Sequence, residues 1–357
     1  EYISENEYDE ALKDDVYSRI QQVNIEYAEE NPNSYFVDSV IDQVVRDLVE
    51  KKGYTDTQAY KAIYNSGLTI ESTQDMGIQK ICDEEVNNQA NYSTEPKYSF
   101  SYRLTVQKAD DTIENYSDQT MISYYSASSP GYSLNFATIE EAQAAIDAYK
   151  AEIIKPGDTI VEGGESLVFT QQPQAAVTII DQYSGDVKAI VGGRGDKSGS
   201  RTLNRATDTT RQPGSTFKIL AAFAPALDTA GMTLATVQDD APFTYSNGTP
   251  LKNYDNSYRG FTTIRYAITK SINVVTVKTL SAISPQVGYD YLQNFGFTTL
   301  VQDDIVESLS LGGITRGVTN LELTAAYATI ADMGTYTKPR FYTRILDHSG
   351  SVLIDNT

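Results

Sequence analysis

A chain of 357 residues, 40% of them hydrophobic, has room for two or three domains and enough apolar surface to bury a core. Its formal charge of -20 repels phosphate backbones, which excludes a nucleic-acid partner. With one cysteine, Cys82, and one histidine, His348, neither an internal disulfide nor a zinc site of the usual Cys/His kind can be assembled, and no cofactor is expected. No apolar run reaches membrane-spanning length, and no signal-peptide pattern precedes Glu1, so the expectation is an excised piece of a longer protein.

In chain order, VDSVIDQVVRDLVEKKG predicts a helix with Val37, Ile41, Val44, Val45 and Leu48 on one face and Gly53 as its stop. SGLTIESTQD alternates as a short strand, and IQKICDEEV returns to helix with Cys82 on its apolar stripe, a core position. From residue 97 the texture turns Tyr-, Ser- and Asp-rich. YSFSYRLTVQ reads as a strand, SASSPGYS as a loop and TIEEAQAAIDAYKAEI as a capped amphipathic helix. AAVTIIDQYSGDVKAIVGG predicts a hairpin opening a new domain near residue 173. Beyond it helical patterns dominate, notably TTIRYAITKSINVVTVKTL and TNLELTAAYATIADMG, before FYTRIL and SVLI suggest a terminal hairpin with His348 in its turn. The expected organisation is α+β: residues 1–96 as a linker region, 97–172 as a small inserted module and 173–357 as the main domain.

Chemistry points first to RQPGSTFKILAAF. Pro213-Gly214 breaks the preceding loop, and a helix then opens at Ser215, where free N–H groups and the positive dipole end gather. Lys218, three residues on, falls on the same face. In an enclosed site a desolvated, neutral Lys218 could take the serine proton. Read by itself, the stretch also fits an N-cap serine followed by a solvated lysine. A lysine in a first turn opposes the dipole, so stability would favour an acid there. TKSINVV supplies a second pair: Ser271 could relay a proton to a leaving group, and Asn273 could hold a substrate amide. Ser-x-Asn alone carries little weight, since Ser133 and Asn135 match it too.

Together, NRATDTTRQPGSTFK, TKSINVV and LSLGGITRGVTNLELTAAYATIADMGTYTKP, in that order, resemble the transpeptidase domain of a bifunctional (class A) penicillin-binding protein. The resemblance runs from about residue 173 to the end. Residues 1 to about 95 resemble the same family, with YISENEYDEAL similar to the tail of its glycosyltransferase domain and NSYFVDSVIDQVV to its linker. It implies a penicillin-binding/β-lactamase-like fold, helices around an antiparallel sheet that is incomplete here. Ser215 corresponds to the acylated nucleophile, Lys218 to its base, Ser271 to a proton shuttle and Asn273 to a peptide-binding group. The implied reaction is D,D-transpeptidation of D-Ala-D-Ala stem peptides, blocked by β-lactams. The implied partners are stem peptides and lipid-linked glycan strands, on the extracytoplasmic face of a bacterial membrane. There the longer protein would be membrane-anchored and associated with the wall-synthesis machinery.

Two departures stand out. The family's third motif, Lys-Thr-Gly on a strand, is absent; Lys278-Thr279-Leu280 starts correctly but ends in leucine within a helical pattern. The resemblance places that motif beyond Thr357, so the hairpin at 175–191 is expected to lack sheet partners. The carboxylates of glycan polymerisation are also missing, so no glycosyltransferase activity is expected. A serine β-lactamase would need a placed carboxylate, for which Glu307 and Glu322 qualify by type, and a non-catalytic wall-binding or β-lactam-sensing module is the other alternative.

Overall fold

The computed structural model describes residues 32–357, with Tyr8 and Lys13; the rest of YISENEYDEAL lies outside the described residues. Helix α1 (Tyr35–Lys52) is set by its ends. The Ser34 hydroxyl accepts from the Val37 N–H, and Gly53, at φ 71°, donates back to Leu48 and Val49. Phe36, Val40, Ile41, Val44, Val45 and Leu48 are buried. Val37, expected on that face, is 40% exposed, because Phe36 takes the inward place one residue earlier. Behind a Thr55–Gln58 capping box come α2 (Asp56–Asn65), β1 (Thr69–Ser72) and α3 (Met76–Asn87). Cys82 is buried on α3, as its place on the apolar stripe requires.

The chain forms two units, Tyr92–Gln174 and a larger one of Asn33–Asn91 with Ala175–Thr357. The smaller contains β2 (Lys97–Gln107), β3 (Ile113–Ser117), α4 (Asp118–Ser126), α5 (Ile139–Ile153) and β4 (Thr159–Gln172). Its antiparallel sheet is ordered β3-β2-β4. The alternation of β2 sends Phe100, Tyr102 and Leu104 into one cluster with Met121 of α4 and Ile146 and Tyr149 of α5.

In the larger unit β5 (Val177–Ile180) and β6 (Val187–Val191) form the hairpin that the Tyr-Ser-Gly-Asp turn predicts. Cys82 and Val86 of α3 cluster with Ala189 and Val191, while Phe36 and Leu48 of α1 cluster with Val187 and Ile190. The helical half follows: α6 (Ala224–Thr229), β7 (Val237–Asp240), β8 (Phe243–Thr244), β9 (Pro250–Leu251) and β10 (Gly260–Thr263), then α7 (Ile264–Thr269), α8 (Asn273–Ile283), α9 (Pro285–Asn294) and α10 (Asn320–Ala331). β7 pairs with β10 and β8 with β9. Finally β11 (Tyr342–Leu346) and β12 (Val352–Asp355) make the terminal hairpin, and β1 pairs with the other edge of β11. His348 is exposed in the intervening turn.

Residues 33–91 and 175–357 therefore share a core, although sequence texture groups 1–96 as a separate linker region. Gln43 of α1 accepts from the Phe341 N–H at 2.7 Å, and Asp47 accepts from the Tyr342 hydroxyl. Both contacts are long-range in sequence, which is why local patterning cannot reveal them. Among the described residues no helix is long and apolar enough to cross a membrane.

Candidate active site

Sequence period suggests one continuous α-helix from Ser215; the structure builds three pieces. A 3₁₀ turn, Gly214–Thr216, carries Ser215, a π-helical turn, Lys218–Phe223, follows, and α6 completes the segment. π turns recur at functional sites because they re-aim side chains that an α-helix would stack. Here Ser215 is exposed while Lys218 is only 3% exposed. Phe217, Leu220, Ala221 and Ala222 anchor the segment in a cluster with Leu280, Leu292 and Phe297.

The predicted helix TTIRYAITKSINVVTVKTL is also broken. α7 ends in a Schellman motif: the Ser271 N–H reaches the Ile268 carbonyl and the Ile272 N–H reaches that of Ala267. Ser271 holds the left-handed position at φ 51°, where glycine is usual and any other residue costs about 1–2 kcal/mol. Neither glycine nor proline marks this break, so periodicity runs straight through it. The serine gives this position what glycine lacks: a hydroxyl.

These two irregular turns meet at the Lys218 amine. Its Nζ donates to the Ser271 carbonyl at 2.6 Å, to Ser271 Oγ at 2.9 Å and to Asn273 Oδ1 at 2.6 Å. The Asn273 Nδ2 in turn donates to the Lys252 carbonyl at 2.9 Å. Burial pushes the Lys218 amine down from 10.5 to about 8. Of the four sequence candidates, Lys218, Ser271 and Asn273 are joined by hydrogen bonds. Ser215 sits one turn earlier on the same segment, and its hydroxyl makes no hydrogen bond among the described residues.

Pairings that the sequence motifs do not reveal hold the Ser215 turn. Arg211 and Val318 exchange backbone bonds at 2.9 Å each. The Gln212 amide clamps Ile314 from both sides, donating Nε2 to its carbonyl and accepting its N–H at 3.0 Å. The Tyr327 hydroxyl donates to the Thr216 carbonyl at 2.6 Å. Each partner is about a hundred residues away, so no local pattern could have found it. By contrast, Lys278 lies inside α8 and its Nζ donates to the Asp239 carbonyl at 2.6 Å, so Lys278-Thr279-Leu280 is a helical segment with its lysine engaged. Glu307 accepts from Ser246 and Ser281, and Glu322 from Thr298 and Thr319; both carboxylates have each oxygen occupied.

An α+β fold that sets a Ser-x-x-Lys turn against a Ser-x-Asn turn defines a class of penicillin-binding serine enzymes. Residues 175–356 match the penicillin binding protein transpeptidase domain. The chain belongs to that family. It is 28% identical over 371 aligned residues to penicillin-binding protein 1A of Clostridium botulinum, covering 99% of this chain and 36% of that protein. Over 198 residues it is 39% identical to penicillin-binding protein 1A of Clostridium acetobutylicum, covering 52% of this chain and 24% of that protein. The chain thus spans about a third or less of the length of these relatives. Among solved structures, penicillin-binding protein 1A of Haemophilus influenzae shares the fold at TM-score 0.56 and 21% identity, over 99% of this chain and 53% of that one. PonA1 of Mycobacterium tuberculosis in complex with penicillin V does so at TM-score 0.55 and 18% identity, over 89% of this chain and 65% of that one.

Proposed function

We propose that this chain provides the acyl-transfer site of a peptidoglycan D,D-transpeptidase, with Ser215 as nucleophile and Lys218 as its base. The observation that carries the reading is the buried amine of Lys218, lowered to about 8 and held by Ser271 and Asn273, one turn along the segment from the exposed Ser215. The neutral amine accepts the Ser215 proton as Oγ attacks the penultimate carbonyl of a D-Ala-D-Ala stem peptide. The C–N bond then breaks. The proton passes through Ser271 Oγ to the departing D-alanine nitrogen, and an amine of a neighbouring stem resolves the ester. Asn273 presents an amide to the peptide backbone. Family membership supports this reading, as does similarity to a protein solved with penicillin V. An extracytoplasmic location, at the bacterial wall, follows from the substrate.

The hydrogen bonds of Glu307 and Glu322 run to Ser246, Ser281, Thr298 and Thr319 and none to Ser215, Lys218 or Ser271 among the described residues, which favours a long-lived acyl-enzyme over β-lactamase turnover. Prolonged incubation with a fluorescent penicillin should modify the tryptic peptide of residues 212–218, QPGSTFK, and Ser215→Ala should abolish the adduct. Label that persists on the alanine variant, or that is released quickly from the wild type, would refute the assignment.

A further inference from the structure

We infer that Asn253, anchored by Asp240, is a positioning residue for this acyl transfer: it fixes the turn through which Ser271 and Asn273 hold Lys218. The inference rests on the reading of Ser215 and Lys218 given above. α8 begins at Asn273, and its N-cap residue, Ile272, has no side-chain acceptor for the free N–H groups of the first turn. That acceptor arrives from a loop 20 residues earlier. Asn253 Oδ1 accepts from the Asn273 N–H at 3.0 Å and from the Val274 N–H at 3.2 Å. On its other side Asn253 Nδ2 donates to Asp240 Oδ1 at 2.7 Å and to the Ser257 carbonyl at 2.9 Å. Asn253 is 3% exposed and Asp240 is fully buried. Every polar atom of the amide is thus used, and a buried amide or carboxylate is tolerable only when it is satisfied.

Local stability would have been served by Ser, Thr or Asp at position 272. A cap from outside does something a local cap cannot. Lys252 and Asn253 are consecutive, and they grip the side chain and the backbone of Asn273 respectively. The Asn273 Oδ1 aimed at Lys218 is therefore fixed by one loop at two points. The loop is braced at the back by the Arg259 N–H, 3.0 Å from Asp240 Oδ2, and by the Arg259 guanidinium. The charged side chains braced together here are Asp240, Arg259 and Asp255, whose Oδ2 accepts from the Arg259 guanidinium at 2.5 Å; Lys218 is the cation they support through the loop. A shift of this loop carries Asn273 with it and moves the acceptors of the Lys218 amine, while Ser215 stays on its own segment.

The test combines two readouts on the whole chain. One follows the Lys218 titration by NMR with lysine labelled at Cε, assigned by its loss in Lys218→Arg. The other measures penicillin acylation of Ser215, resolved into the saturating concentration and the limiting rate. In Asn253→Ala the Lys218 midpoint should fall below its value of about 8, because the oxygens that accept from the charged amine move away while the burial that lowers it stays. The limiting acylation rate should fall about a hundredfold, as for other misplaced catalytic groups, with the saturating concentration little changed. The reciprocal pair Asp240→Asn with Asn253→Asp reverses donor and acceptor and should acylate faster than Asn253→Asp alone. A folded Asn253→Ala with wild-type midpoint and rate overturns the inference. Should Asn253→Ala fail to fold, the pair decides, and equal losses in Asn253→Asp and the pair overturn it. If the wild type forms no adduct at Ser215, the acyl-transfer reading fails instead, and the Lys218 midpoint in Asn253→Ala decides the positioning role separately.

Discussion

Lys218→Arg is expected to slow penicillin acylation of Ser215 by about a hundred- to ten-thousandfold, the contribution typical of a positioned base. Arginine keeps a positive charge of similar reach but does not surrender its proton at any working pH. The size of the effect follows from burial. With the amine at about 8, about a tenth of the molecules hold it neutral at pH 7, against roughly one in three thousand for a lysine at 10.5. Wild-type acylation should accordingly rise about tenfold per pH unit below 8 and level off above it. Rates measured from pH 6 to 9.5 test both points, and a flat wild-type profile or a fully active arginine variant would remove Lys218 as the base. The same burial opposes folding by about 3 kcal/mol while the amine is charged. Between about 8 and 10.5 the unfolded chain binds the proton and the folded chain does not, so the Lys218 contribution makes stability rise with pH across that window.

Much of this site was legible because its residues advertise themselves by type and short spacing. Ser215 with Lys218, and Ser271 with Asn273, stand three and two positions apart, and helix ends at Ser34, Gly53, Thr138 and Thr319 carry side-chain or glycine signals that local physics recognises. What stayed hidden has a common cause: the decisive partner is remote or the backbone departs from its period. Periodicity cannot show that Lys218 opens a π turn and withdraws from solvent while Ser215 remains exposed. Nor can it show a helix stopping at Ser271, since the left-handed residue is not a glycine. The amides of Gln212 and Asn253 resemble ordinary loop polarity until the folded chain brings Ile314 and α8 to them. Residues 33–91 look like a linker because their apolar stripe is answered by β6 and β11, far along the chain.

Gly312→Ala should both destabilise the larger unit and disable Ser215, whereas Gly313→Ala, one residue on, should do neither. Gly312 holds φ 73°, which costs an alanine about 1–2 kcal/mol before any contact is considered. A Cβ at this position would also lie 2.4 Å from both the N and the O of Gly214, the residue that opens the turn carrying Ser215. Those neighbours are backbone atoms, and the turn they belong to is already held by the Arg211–Val318 bridge and the Gln212 clamp. It cannot yield without moving Ser215. Asp304 fixes the opposing loop just as firmly, accepting from the Thr315 N–H and hydroxyl at 2.7 Å each. Strain and clash together should cost about 3 kcal/mol, and a displaced nucleophile should lose about a hundredfold in acylation. At Gly313 the nearest atom to an added Cβ is 3.6 Å away, in Ser308, an ordinary contact, so the change there should stay within about 0.5 kcal/mol. Thermal melts and penicillin labelling of the two variants side by side decide the matter. Equal behaviour of Gly312→Ala and Gly313→Ala would mean that the loop at 307–318 does not bear on the nucleophile turn.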